Sequence, residues 1–269
     1  MINIKKKFNE NITVCKNFGR DELGKNRIKL TTFRYLKTVG LEDDKKVFSV
    51  KCSVNDEKLE NNISRAKAKI YEYAMCNEWD WFFTGTIDSK KFSRTDLPAY
   101  HKSLVQFIKD YNKKYHLHIK FLFIPELHQD GQSWHMHGFL KDLPVNLLHQ
   151  FVIGDKMGGY IAEKVKKGEK VYKWVEYFNK FGFCDLEPIQ SKERACSYVM
   201  KYVTKSLSSS VKEMNAHLYY CSRGLSIATI EKKGTMFADI VPNFENEWVK
   251  ISNLSLSDDE LYKLKFFID

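Results

Sequence analysis

The chain has 269 residues, of which 43% are hydrophobic and 14% aromatic, enough for a sizeable core and too apolar for a disordered chain. No apolar run reaches the ~18 residues of a membrane span. The N-terminal stretch MINIKKKFNENITV lacks the apolar centre of a signal peptide, so a cytosolic protein with no membrane partner is expected. The formal charge of +10, from 44 Lys+Arg against 34 Asp+Glu, points to a polyanionic partner, nucleic acid before membrane.

Six well-separated cysteines, at 15, 52, 76, 184, 196 and 221, include no C-x-x-C pair. That argues against a zinc ribbon or redox motif, and in a cytosolic chain free thiols are expected. Residues 1–45 are polar and basic with weak periodicity, a segment of unknown role. KVFSVKCSV (46–54) alternates as a half-buried strand does. Leu59, Ile63, Ala66, Ile70 and Tyr73 follow at helical spacing, with Asn55 or Asp56 as cap.

WDWFFTGTID (79–88) reads as a strand rich in aromatic and β-branched residues. Asp96 and Pro98 open a second helix with Leu97, Tyr100, Leu104, Phe107, Ile108 and Tyr111 on its apolar face. IKFLFIPEL (119–127) is a strand, QDGQ a turn and SWHMHGFL the returning strand. Residues 150–170, rich in Gly and Lys, read as an exposed excursion. A third helix starts near Ser191. HLYYCS and LSIATI suggest short strands, and SDDELYKLKFFID a capped amphipathic helix. The pattern predicts an α+β fold, a central and largely antiparallel sheet with helices packed on it.

His135 and His137 are two apart in a strand, so they share one face while Met136 takes the other. Asp130-Gly131 is a hairpin signal. With these two as the loop, Glu126 lies opposite His135; a register slid by one pair puts His128 opposite His135 and Glu126 opposite His137. A loop of other parity would send Glu126 to the opposite face. Two imidazoles and a carboxylate form a three-ligand set for a divalent cation that leaves positions open. Glu126 is preferred because a hard anion suits Mg²⁺ or Mn²⁺, with His128 as rival or supplementary ligand. A second H-x-H, His116 and His118, sits where a helix ends and a strand begins, with no turn to bring a carboxylate across, and reads as structural or solvated.

Tyr198 and Tyr202 are one helical turn apart, with Lys201 and Lys205 each three residues after a tyrosine. Such a row could be an ordinary amphipathic face. Its chemical reading is covalent attack on a phosphodiester, since a phenol can become a phenolate beside a cation and a lysine can neutralise charge on the reacting phosphate.

With FFTGTID, PELHQDGQSWHMHG and YVMKYVTK in this order, residues 55–235 or so resemble the HUH endonucleases, above all the rolling-circle replication initiators of phages and plasmids. The resemblance implies a five-stranded, RRM- or palm-like antiparallel sheet and an endonuclease domain over 46–235, leaving 236–269 as a C-terminal extension. It implies a metal site of Glu126, His135 and His137, and a Tyr-x-x-Lys nucleophile motif of Tyr198 and Lys201, with Tyr202 and Lys205 fitting the two-tyrosine variant. It makes Thr84 and Thr86 of the first motif, and Arg223 of the recurrent CSRGL segment, candidate DNA-binding residues. The implied substrate is single-stranded DNA at a replication origin, which a hairpin could present. No Walker A motif occurs, so unwinding is expected from a host helicase, alongside a host polymerase. Two other readings remain: an HUH-type transposase with the same chemistry on other DNA ends, and a non-catalytic RRM-like protein stacking bases on Phe82, Phe83 and Phe121.

Overall fold

The computed structural model describes residues 6–7, 12–33, 37–38, 56–210, 218–237, 240–246 and 249–267, with side chains given over 12–33, 63–201 and the segments after 217. The strand expected at 46–54, the alternative cap Asn55, and the side chains of Tyr202 and Lys205 lie outside the described residues.

In chain order the elements are β1 (Lys6–Lys7), β2 (Ile12–Arg20), β3 (Asn26–Phe33), β4 (Lys37–Thr38), α1 (Asp56–Cys76), β5 (Trp81–Thr86), α2 (Leu97–Tyr115), β6 (Lys120–Leu127), β7 (Trp134–Lys141), β8 (His149–Gln150), α3 (Gly159–Lys166), β9 (Tyr172–Lys173), α4 (Val175–Lys180), β10 (Cys184–Pro188), α5 (Lys192–Ser210), β11 (Tyr220–Cys221), β12 (Thr229–Met236), β13 (Phe244–Glu245), β14 (Val249–Leu256), α6 (Asp258–Lys263) and β15 (Phe266–Phe267). The fold is α+β, with the helices packed on two antiparallel sheets of seven and six strands. Two compact units divide the chain: residues 54–225, and residues 1–53 together with 226–269.

In the larger unit the strand order is β11-β6-β7-β5-β10-β9-β8. Four longer strands, β5, β6, β7 and β10, form its centre, and the two-residue strands β8, β9 and β11 bring the count to seven, against the five or so expected. Alternation sends Phe83, Phe123, Met136 and Leu140 to one face, where α2 covers them with Tyr100, Leu104, Phe107 and Ile108. The second helix starts as its sequence predicts: the Asp96 carboxylate accepts from Ala99 N–H and Pro98 occupies the first turn. It stops at His116, which takes a left-handed conformation with φ 54°.

The opposite face of this sheet carries Phe82 and Phe139. Trp79 stacks on Phe139 at 5.5 Å between ring centroids, and α1 and α5 pack there against β6 and against each other. Within β7, Gly138 has φ +152°, and a Cβ there would run into the Leu122 carbonyl oxygen of β6. Glycine is what lets the histidine strand approach its neighbour so closely.

The smaller unit has the order β13-β14-β3-β2-β12-β15. Cys15, Ile28 and Leu30 form its core, with Leu254, Leu256, Leu261 and Phe266 against them. The expected C-terminal helix is present only over Asp258–Lys263, where it begins with a reciprocal capping box between Ser257 and Glu260; Phe266 and Phe267, expected within it, pair instead with β12 as β15. The strand expected at LSIATI begins later, at Thr229, because its ladder with β2 runs through the polar stretch Thr229–Thr235. Among the described residues no helix is long and apolar enough to cross a membrane.

Candidate active site

The hairpin register decides the site. β6 and β7 pair Glu126 with His135 and Ile124 with His137, the register expected for an Asp130-Gly131 loop. Gly131 takes φ +69°, and the Asp130 carboxylate accepts from the N–H groups of Gln132 and Ser133. The Ser133 hydroxyl's hydrogen bond first, and then these backbone bonds, hold the Asp130 carboxyl well below its ordinary range. On the other side of β7, Thr84 lies opposite His137 and Thr86 opposite His135. Three adjacent strands thus bring Glu126, His135, His137, Thr84 and Thr86 onto one face.

On that face His137 Nε2 and Glu126 Oε2 are 2.8 Å apart, and His137 is only 5% exposed. His135 Nδ1 stands 3.3 Å from the Thr86 hydroxyl, while its Nε2 is buried with no hydrogen-bond partner. Burial, then the neighbouring His137 and His128, push the His135 imidazole below its ordinary value, which keeps it neutral with a free lone pair at neutral pH. The His128 ring lies parallel to that of His135, 5.0 Å away, and His135 and His137 are parallel at 6.3 Å. Among the described residues no three His, Cys, Asp or Glu side chains stand together at metal-holding distances. The orphaned Nε2 of His135 fits a cation ligand, and Glu126, His137 and His128 are the donors beside it.

Among the described residues β11 pairs with β6 at Leu122 and Phe123.

α5 begins at a Ser191 cap, whose hydroxyl accepts from Arg194 N–H, and is tied down by the Lys192–Glu78 ion pair. It buries Cys196 and Val199 and sets Tyr198 over the histidine face: the Tyr198 ring meets Phe82 edge-on at 5.1 Å. Phe82 precedes Thr84 by two residues and shares its face. Tyr198 is 42% exposed, and Lys201 is exposed one turn further on. The helix continues through Tyr202 and Lys205.

The remaining candidates fall elsewhere. His116 and His118 are exposed at the end of α2 and just after it, away from any carboxylate partner in the described hydrogen bonds. Arg223 is exposed in the turn after β11, beside Gly224, whose carbonyl accepts from Lys120. That is the far end of β6 from Glu126, about 20 Å along the strand at ~3.3 Å per residue.

One acid on this face escapes a reading of the sequence. Asp185 of β10 lies directly across from Thr84 and takes a hydrogen bond from its hydroxyl. The signal is there: FGFCDLEPI sets an acid within an apolar, strand-like run. Burial pushes the Asp185 carboxyl from 3.8 up to about 7, with Glu187 adding to the rise and Lys164 opposing it. Between pH ~4 and ~7 the folded chain therefore keeps a proton that the unfolded chain has released, so stability falls as pH rises through that window. Asp185→Asn keeps the shape and removes the charge. It is expected to raise stability at pH 8 by up to about 4 kcal/mol and to give no gain at pH 4, read from urea midpoints at both values. An equal effect at the two pH values would contradict the buried-carboxylate account.

Residues 80–207, the span from the start of β5 through the histidine strand into α5, match the model of a family of replication-associated proteins. No curated protein and no solved structure matches the chain. The family match agrees with the resemblance to rolling-circle initiators and supports a role in replication initiation.

Proposed function

We propose that this chain, which matches the replication-associated protein family over residues 80–207, is a site- and strand-specific nickase that starts rolling-circle replication through a 5′-phosphotyrosine intermediate. The observation that supports this most is the shared face: Glu126, His135 and His137 on adjacent strands, and Tyr198 on the helix above them, its ring against Phe82. In this reading Glu126, His135 and His137 would hold one Mg²⁺ or Mn²⁺, with His128 as a further donor, and the cation would supply polarisation of the non-bridging oxygens of the scissile phosphate.

The Tyr198 oxygen attacks phosphorus, the bond from phosphorus to the 3′ oxygen breaks, and the phenolic proton passes to water while the departing 3′ oxygen gains one. Lys201 neutralises phosphate charge beside the attacking oxygen, and Lys205 has the matching place after Tyr202. The product is a 5′-phosphotyrosine and a free 3′-OH. That hydroxyl primes synthesis, and attack by a 3′-OH on the phosphotyrosine rejoins the strand without an outside energy source. Thr84 and Thr86 are assigned to strand binding on the same face, and Arg223 to more distant backbone contact. The substrate is single-stranded DNA at an origin; a separate host helicase and polymerase unwind and copy it.

The test is mass spectrometry of the intact protein after incubation with a pool of origin-derived single strands, with Mn²⁺ or with chelator. A covalent DNA adduct that forms only with the cation is expected. Binding without any adduct, whichever cation is supplied, would instead make the chain a non-catalytic nucleic-acid-binding protein.

A further inference from the structure

The loop between β5 and α2, IDSKKFSRTD (87–96), is pinned at three points. Phe92 packs on Phe181 and Tyr100, with ring centroids 5.6 and 6.1 Å away. Asp96 caps α2. Between these anchors the Arg94 carbonyl accepts a hydrogen bond of 3.0 Å from Trp134 N–H, the residue just before His135. The loop is thereby stitched to the start of the histidine strand, near enough for the Arg94 charge to be felt at the His135 ring.

The guanidinium held there is not used by the fold. Its Nε is shut off from solvent with no hydrogen-bond partner, and among the described residues no carboxylate lies at ion-pair distance from Arg94. A buried donor left without a partner is costly to the fold. Arginine offers a rigid fork of N–H donors matched to phosphate oxygens. Thr86 is paired across the strands with His135, next to the loop's anchor at Trp134.

We infer that Arg94 grips a non-bridging oxygen of the DNA phosphodiester that is cut. This rests on the nickase reading of the same face, and it adds a phosphate-binding residue that lies outside the three motifs. Arg94 belongs to the loop bound to the start of the histidine strand, whereas Lys201 belongs to α5, so the two cations come from different elements.

The test uses Arg94→Met, which keeps the packed stem, and Arg94→Lys, which keeps the charge. Binding of a fluorescein-labelled dT20 strand is measured in chelator over a salt series, and single-turnover cleavage is measured on the strand that gives the adduct. For Arg94→Met, the log–log salt slope should become shallower by about 0.7, one phosphate contact on a single strand. Its cleavage should fall by about 10²-fold or more, the scale seen for loss of one donor to a developing oxyanion. Arg94→Lys should keep the slope and recover part of the rate. Wild-type slope, or cleavage within twofold of wild type, in Arg94→Met overturns the inference. If circular dichroism shows Arg94→Met misfolded, a wild-type rate in Arg94→Lys overturns it, because a point charge does not replace the fork. Should the wild-type protein cleave no strand, the nickase reading fails by itself, and the slope comparison alone decides whether Arg94 holds a backbone phosphate.

Discussion

Replacing His135 or His137 by alanine is expected to bring strand cleavage below detection while the protein still folds. The expectation comes from where the side chains point. Met136, between them, is fully buried among the residues under α2, whereas both imidazoles lie on the other face, across from Thr84, Thr86 and Glu126. Neither histidine is part of the apolar core. Alanine at 137 forfeits the bond to Glu126, about 1–2 kcal/mol, a modest fraction of a domain's stability. His116→Ala is the matched control: same residue type and spacing, but exposed in the left-handed cap of α2. It should cleave within a few-fold of wild type. Cleavage assays with Mg²⁺ and with Mn²⁺, read beside thermal melts, check all three variants. Normal cleavage by His135→Ala means the metal site is misassigned, and equal loss in His116→Ala means the other H-x-H pair is the active one.

The hairpin was legible because two short-range rules fix it. Asp130-Gly131 sets the loop, and the loop sets the parity that puts Glu126 opposite His135 rather than on the far face. The helices α1, α2 and α5 were legible for a similar reason, since their apolar positions recur at helical spacing and Asp96 and Ser191 cap two of them. The smaller unit was not. Its sheet joins β2 and β3 from residues 12–33 to β12 and β14 from beyond residue 228, and no local pattern announces a partner some two hundred residues away. The strands are also rich in Lys, Thr, Asn and Ser, so their alternation is weak in sequence even where Cys15, Ile28 and Leu30 are buried. Within 150–180 the helices α3 and α4 are six to eight residues long, too short for periodicity to stand out from a loop. Asp185 and Arg94 were missed for another reason. A lone acid in a strand and a lone arginine in a loop are commonplace; only the ladder with Thr84 brings Asp185 to the histidine face, and only the backbone bond to Trp134 brings Arg94 beside the histidine strand.

Which tyrosine attacks is the remaining large effect. Helical spacing sets Tyr198 and Tyr202 one turn, ~5.4 Å of rise, apart, and α5 is continuous through both. Two hydroxyls so spaced can approach one phosphate in turn: the first cuts the origin and keeps the 5′ end, and the second attacks the regenerated site a round later to release a circle. Tyr198 ranks first, because its ring rests on Phe82 above the histidine face and Lys201 follows at the Tyr-x-x-Lys spacing. In the reading with two nucleophiles, Tyr198→Phe and Tyr202→Phe each still form a covalent adduct with DNA, mapped by peptide mass spectrometry to the surviving tyrosine, and the double variant forms none. With Tyr198 alone as nucleophile, Tyr198→Phe by itself abolishes the adduct and Tyr202→Phe leaves it intact. Phenylalanine keeps the edge-on contact with Phe82, so loss of the adduct in Tyr198→Phe reports the missing hydroxyl rather than a shifted helix. An adduct that persists in the double variant removes α5 from the chemistry altogether.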